Sequence, residues 1–381
     1  MTALALGALG CAIWAYLLLA RGGFWWHVPR LEARAPAYWP AVVAVIPARD
    51  EADGIEACVG SLLDQDYAGP LRIVVVDDHS SDGTAALAQR AAATRGSADR
   101  LRIVEGQALL AGWTGKLWAV AQGLAAADAW MPEADYVLLS DADIAHDPRN
   151  LAELVGHAEA GGRDLVSLMV VLHCRTWAER ALIPAFVFFF EMLYPFAWVN
   201  RRDRRTAAAA GGCMLARRAA LARIGGVASI RGALIDDCAL AAALKRTGPI
   251  WLGLATRTRS LRVYEKLGDI WLMVARTAYV QLDHSPMLLG LTVAGMAITY
   301  LAPPALLLVG GVPALLGTLA WLAMAAAYAP TLRRYQRSLA WAPLLPLVAL
   351  FYTAATVGSA WRHYRGRGGA WKGRVYAKGG A

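Results

Sequence analysis

The stretch Tyr136-Val-Leu-Leu-Ser-Asp141-Ala-Asp143 decides how this 381-residue chain is read. Four apolar residues run straight into two acids separated by one alanine. Such a strand stops where its backbone meets solvent, which puts the carboxylates at the rim of a sheet. Two acids this close repel each other unless a cation lies between them, and hard oxygen ligands favour Mg²⁺ or Mn²⁺. Alone, the pair reads more readily as a solvated strand end or a helix cap. Its meaning depends on what else converges on the same rim.

Outward from it, strand-like apolar runs recur at 41–46, 71–76, 101–104 and 165–170, with helix-compatible stretches at 55–63, 84–93, 116–127 and 151–160. Near-continuous Val/Ile/Leu strands alternating with helices predict an α/β domain whose mostly parallel sheet is covered on both faces. In such a sheet, ligands bind beyond the carboxyl ends of the strands. Three strands end in chemistry. Ile46 runs into Pro47-Ala-Arg49-Asp50-Glu51, Val76 into Asp77-Asp78-His79-Ser80, and Leu139 into Ser140-Asp141-Ala-Asp143. One acidic strand end is commonplace, but three on one rim predict a site.

The chain is 57% hydrophobic, with a mean hydropathy of +0.39, too apolar for an ordinary soluble enzyme. Residues 2–20, 285–332 and 338–361 carry no charge. The first run is long enough to span or nearly span a bilayer. It lacks a basic start and an Ala-x-Ala exit, so residues 1–22 read as an anchor and not a cleaved signal. Residues 285–361 predict about three membrane helices, followed by a basic tail at 362–381. The net charge of +9 sits beside these runs, with Arg21, Arg30 and Arg34 after the first and Arg333, Arg334 and Arg337 between the last two. This predicts a membrane partner and anionic lipid, not nucleic acid. One conflict follows. With residues 21–284 cytosolic, three crossings place the basic tail outside, so either one segment does not cross or the tail breaks the charge rule. The five cysteines show no metal-ligand spacing and read as reduced thiols of a cytosolic domain.

Each polar motif has two readings. Asp78 suits a base N–H or a ribose hydroxyl, with Ser80 and Asp82 shaping the turn, and a helix cap is an equal alternative. Arg49 offers a planar fork to a base or phosphate, though surface arginines are commoner. Gly112-Trp-Thr-Gly-Lys116 sets a cation at a helix start without P-loop spacing, and a solvated lysine is the default. Gly232-Ala-Leu-Ile-Asp236-Asp237-Cys238 supplies either a general base for a hydroxyl or an N-cap pair. His79, His146 and His284 read as structural or solvated. Residues 181–200 are dense in aromatics but interrupted by Pro184, Glu191 and Pro195. They make a poor span and read as an interfacial element or a core helix.

Together, Pro47-Ala-Arg-Asp-Glu51, Val76-Asp-Asp-His-Ser-Ser-Asp-Gly-Thr84, Gly115-Lys116, Asp141-Ala-Asp143 and Asp236-Asp237 resemble family-2 glycosyltransferases of the GT-A (Rossmann-like) fold. They occur in that family's order over roughly residues 41–280, within a catalytic domain placed at 41–284. Within the family the chain looks most like the hopene-associated glycosyltransferases of hopanoid-producing bacteria. Those resemble the ceramide glucosyltransferase branch in pairing an N-terminal anchor with C-terminal membrane helices. The local matches are 182–190, 194–200, 207–214, 231–240 and 275–279.

The resemblance implies roles. Asp78 would hold a uracil-type base, and Pro47, Arg49, Glu51, Lys116 and Asp141 the rest of the nucleotide-sugar. Asp143, with Asp141, would hold a divalent metal, Mg²⁺ or Mn²⁺. Asp237 would be the catalytic aspartate with Asp236 beside it, and Arg276 would mark the acceptor or product region. The chain departs from the family in having Asp236-Asp237 for the usual Glu-Asp. It also lacks a full Gln-x-x-Arg-Trp motif, which argues against processive synthesis. The implied activity is inverting sugar transfer from a nucleotide-sugar, a UDP-sugar foremost, to a lipid hydroxyl. It would take place at the bacterial inner membrane, with a multi-pass chain and the catalytic domain facing the cytoplasm. A polyisoprenyl-phosphate sugar transferase is the rival enzyme. A non-catalytic transporter or scaffold is the rival class, disfavoured by the charge-free helices.

Overall fold

The computed structural model describes residues 2–27, 29–31, 36–366, 368, 370–371 and 374–375. Arg34 and half of the basic tail expected at 362–381 lie outside the described residues. Eight strands form one sheet: β1 (Val42–Ala48), β2 (Leu71–Asp77), β3 (Leu101–Glu105), β4 (Tyr136–Leu139), β5 (Ile144–Ala145), β6 (Leu165–Val171), β7 (Met214–Arg217) and β8 (Ile250–Ser260). Their order is β3-β2-β1-β4-β7-β6-β8-β5. The first four in space are parallel, whereas β7 runs antiparallel to both β4 and β6. The sheet is therefore mixed, parallel on the half that carries the three acidic strand ends.

Alternate residues of β1 face different layers. Val43 and Val45 pack in one core cluster, while Val42, Ala44 and Ile46 pack in the other. Burial on both sides explains why the strand reads as an unbroken apolar run. The helices α1 (Ala3–Leu19), α2 (Ile55–Leu63), α3 (Thr84–Ala93), α4 (Gly115–Trp130) and α5 (Asn150–Ala160) come next in the chain. Of these, α2, α3 and α5 cover one face and α4 the other. A Cβ on Gly123 of α4 would lie 2.5 Å from Val45 Cγ1 and 3.0 Å from Val76 Cγ2. Only glycine lets α4 sit this close to the sheet, with its N-terminus at the rim.

The remaining helices are α6 (Trp177–Leu193), the short α7 (Phe196–Val199) and α8 (Arg218–Arg223), α9 (Asp236–Lys245), α10 (Leu267–Thr277), α11 (Pro286–Met296), α12 (Ala302–Ala305), α13 (Gly311–Arg334) and α14 (Leu345–Tyr364). Among the described residues, four helical stretches are long and apolar enough to cross a membrane: Trp177–Val199, Pro286–Leu308, Gly311–Arg334 and Leu339–Tyr364. The N-terminal α1 is shorter, at 17 residues, or about 26 Å of helix. Residues of α1, α6, α13 and α14 share one apolar cluster. Within it, α6 is buried along most of its length, and the stretch Trp177–Val199, read from sequence as a poor span, is long and apolar enough to make one. Phe188 and Phe189 make edge contacts with Tyr300, Tyr328 and Tyr352.

Proline chemistry shapes the joint between α11 and α12. Pro303 has no N–H to return to the carbonyl four residues back, and a π-turn spans Ala297–Leu301. The indole N–H of Trp14 donates to that Thr299 carbonyl at 3.0 Å, satisfying a buried acceptor and tying α1 to the bundle. The end of α14 returns to where α11 begins. His284 and His363 stack at 4.2 Å, the Tyr279 and Tyr364 hydroxyls are 2.9 Å apart, and Ser359 receives the Tyr279 N–H at 3.0 Å.

Candidate active site

The site grows from the ends of β1, β2 and β4. Register pairs Ala48 with Asp77 and Val45 with Leu139, which sets Arg49 beside Asp78 just beyond the rim and Ser140 beside Ile46. A buried polar chain holds the β4 end. Asn150 Nδ2 donates to His146 Nδ1 at 3.1 Å, leaving Nε2–H to face the Ser140 hydroxyl at 2.9 Å. Burial pushes His146 down to about 4, so it is neutral at physiological pH. This histidine is structural.

Asp141 and Asp143 leave the rim in different company. Lys116, at the start of α4, places Nζ 2.8 Å from Asp141 and 3.0 Å from Asp236. Burial works to raise the Asp141 carboxyl, but the Lys116 ammonium outweighs it and holds the group low. Asp236 and Asp237 open α9, where first-turn acids also suit the helix dipole. The N-cap itself is Ile235, with no side-chain cap, so the two acids are first-turn residues and not the N-cap pair. Asp237 Oδ2 accepts the Gly211 N–H at 3.0 Å and Oδ1 the Cys238 N–H at 2.7 Å. Burial, then the neighbouring Asp236 charge, pushes Asp237 up to about 6 despite Lys116 and those two N–H groups. A Cβ on Gly211 would lie 3.3 Å from Lys116 Nζ, 3.5 Å from Asp237 and 3.7 Å from Asp141. The backbone there is the floor on which the three groups meet.

Asp143 Oδ2 accepts from Arg262 Nε at 2.7 Å, and Arg262 Nη2 reaches the Glu51 oxygens at 3.3 and 3.4 Å. Sequence reasoning missed Arg262, Tyr264 and the role of Gly211. Arg262 follows β8, a strand whose outer half alternates Arg257 and Arg259 outward with Thr258 and Ser260 inward. That period-two pattern was the available signal.

These groups line one cavity of about 700 Å³. Pro47, Glu51, Lys116, Asp141, Asp143, Asp236, Asp237 and Arg276 all contribute, and Arg362 joins them from the end of α14. Phe186, Phe190, Leu272 and Met273 add an apolar part to its wall. Arg49 and Asp78 do not line it. They pair beside it, Arg49 Nη1 donating to the Asp78 carbonyl at 2.5 Å and standing 3.6 Å from its carboxylate. Asp82 accepts from Thr84 N–H and Ala52 N–H, shaping the turn into α3.

Asp141 and Asp143 put two hard carboxylates on one rim. Mg²⁺-type ions take one or two protein carboxylates and complete their shell with phosphate oxygens and water. The pair suits such an ion bound together with a diphosphate. Among the described residues, no group of three or more His, Cys, Asp or Glu could hold one unaided.

Residues 43–225 match the model of the family described as "Glycosyl transferase family 2". This stretch is a family-2 glycosyltransferase domain. The mannosyltransferase PcManGT from Pyrobaculum calidifontis, solved in complex with GDP-Man and Mn²⁺, shares the fold at a TM-score of 0.61 and 21% identity. The likeness covers 94% of this chain and 99% of that one, so it runs past the transferase domain into the apolar helices. Two N-acetylglucosaminyltransferases, from Rhizobium leguminosarum bv. viciae and Rhizobium meliloti (strain 1021), are 48% and 47% identical over 54 and 53 residues. Each match takes in 14% of this chain, and only 13% and 12% of the respective relative's length.

Proposed function

We propose that this protein is a membrane-bound, inverting glycosyltransferase that moves a sugar from a nucleotide-sugar, foremost a UDP-sugar, to a lipid hydroxyl, with a hopanoid polyol as acceptor. The observation that carries the proposal is a single cavity lined by both charged and apolar side chains. Lys116, Asp141 and Asp143 line it together with Phe186, Phe190, Leu272 and Met273, and Asp237 belongs to the same enclosure. A nucleotide-sugar suits the charged groups and a lipid the apolar ones. The solved mannosyltransferase, with its GDP-Man and Mn²⁺, supports a nucleotide-sugar donor.

In this reading the acceptor hydroxyl attacks the anomeric carbon as the bond to the diphosphate breaks, and the electron pair leaves with the diphosphate. The hydroxyl proton passes to Asp237. A carboxylate raised to about 6 is a better base than an ordinary aspartate, and it accepts the proton only as the new bond forms. Gly211 and Cys238 N–H groups hold its two oxygens in place. Lys116 offers its ammonium to the diphosphate oxygens, and the apolar wall keeps bulk water from competing with the acceptor. A divalent ion held by Asp143 and Asp141 would add Lewis-acid stabilisation of the leaving diphosphate. Arg49 and Asp78 flank the β1 and β2 ends, where a base would lie.

The helices are read as membrane elements, with the catalytic domain on the cytoplasmic side of a bacterial inner membrane. Because α14 ends against Tyr279 and His284 and sends Arg362 into the cavity, its basic end faces the same side as the transferase domain. One of the three C-terminal apolar segments then does not cross, which removes the conflict with the charge rule.

A second reading has one observation in its favour. Arg276 and Arg362 line the cavity, and two cations on that side suit an acceptor that carries a phosphate. Such an acceptor needs no base. Lipid extracts of wild-type and deletion strains, compared by mass spectrometry, test the proposal. A neutral lipid that differs by one sugar residue is expected, whereas loss of a sugar-phosphate lipid alone supports the second reading.

A further inference from the structure

Each carboxylate of the Asp141-Ala142-Asp143 turn holds a cation of the chain's own. Lys116 Nζ is 2.8 Å from Asp141, and Arg262 Nε donates to Asp143 at 2.7 Å. Arg262 also reaches Glu51, so one guanidinium ties the residues beyond β1 to those beyond β4. Its backbone is fixed on both sides. The Leu261 N–H donates to the Asp143 carbonyl at 2.7 Å. Two residues on, Tyr264 is held through both its polar backbone groups: its N–H donates to buried Glu179 at 2.8 Å, and its carbonyl accepts from the Thr176 hydroxyl at 2.7 Å. The Arg262 side chain, by contrast, is 38% exposed. It can change partner while its backbone stays.

A divalent cation arriving alone at Asp143 meets a guanidinium already on that carboxylate and an ammonium on its neighbour. Like charges at contact distance in a partly enclosed site repel strongly. A nucleoside diphosphate reverses the balance. Its oxygens attract the metal and both resident cations, and the guanidinium fork matches phosphate geometry.

We propose that Arg262 is a resident counter-ion of Asp143 that makes divalent-metal binding conditional on a nucleoside diphosphate, letting go of Asp143 as it passes to the phosphates. The inference rests on the transferase reading above and adds to it an order of assembly and a residue that enforces it.

Mn²⁺ binding to the full chain in detergent, followed by electron paramagnetic resonance with and without UDP or GDP, tests this. In the wild type, the nucleotide is expected to tighten Mn²⁺ binding at least tenfold. Arg262→Gln and Arg262→Ala are expected to bind Mn²⁺ at least tenfold more tightly than wild type without nucleotide, and to gain less when it is added. Arg262→Lys keeps the charge and is expected to restore the dependence. Equal Mn²⁺ affinity in the wild type and both neutral variants without nucleotide overturns the inference, as does a lysine variant that behaves like the neutral ones. A wild type that binds Mn²⁺ equally well with and without nucleotide, while still binding the nucleotide, overturns it and leaves the transferase reading standing. A wild type that binds neither nucleotide refutes the transferase reading itself, and this inference with it.

Discussion

Lowering the pH tests Asp237 as the base. Its carboxyl is raised to about 6, first by burial and then by Asp236, and the sign of the effect follows directly. A base works only as the carboxylate, so activity is full well above pH 6 and is lost as pH falls through that value. With a midpoint of 6, Asp237 is roughly 97% ionised at pH 7.5, about 50% at pH 6 and about 9% at pH 5. An ordinary aspartate would still be roughly 94% ionised at pH 5. The expected result is therefore about a tenfold fall in kcat/KM between pH 7.5 and pH 5. The assay is transfer of a labelled sugar by the detergent-solubilised protein, with nucleotide binding measured by calorimetry at each pH so that donor loss is not mistaken for base loss. Asp237→Asn is expected to lose transfer at every pH while binding nucleotide nearly as well as wild type. A flat profile down to pH 5, or an asparagine variant that retains a tenth or more of wild-type turnover, refutes Asp237 as base.

Other outcomes follow from the same contacts. Lys116→Met removes the cation shared by Asp141 and Asp236 and is expected to cost roughly 1–3 kcal/mol in stability, read by thermal melting, together with a clear loss of nucleoside diphosphate affinity by calorimetry. Glu179→Ala strips the carboxylate that accepts from Arg175, Thr176 and Tyr264 backbone N–H groups and pairs with His173. It is expected to destabilise the chain by about 3 kcal/mol or more, and a melt within a degree of wild type would contradict that. A reporter or single cysteine placed after Arg365 is expected to be accessible from the same side as one on α3. Accessibility from the opposite side would contradict the return of α14.

The parallel half of the sheet was legible because β1, β2 and β4 are largely buried on both faces. Residues 136–139, 55–63 and 84–93 were read with the bounds the structure has. In the other half β6 was read at 165–170, but β7 and the end of β8 were not. The four-residue β7, Met214-Leu-Ala-Arg217, sits between a glycine pair and a helix, and the end of β8 reads Thr-Arg-Thr-Arg-Ser with no apolar run to mark it. Losing β8 hid Arg262, whose meaning depends on a partner, Asp143, reached only through the fold. The ion pairs of Lys116 with Asp141 and Asp236 are legible as residue types but not as a meeting point. That meeting is made by the close approach of α4 at Gly123 and by the Gly211 backbone. The aromatic run at 181–200 was ambiguous for a related reason: only the packing partners of α6 show which of its faces is buried.

The most direct test is a transfer assay with the purified protein in lipid nanodiscs, supplied with a UDP-sugar and a total bacterial lipid extract, with products identified by mass spectrometry before and after mild acid. The account predicts a lipid enlarged by one sugar that survives mild acid, as a glycoside of an alcohol does, and that is absent with Asp237→Asn. A product that mild acid splits as a sugar phosphate, or a product still made by the asparagine variant, would contradict it.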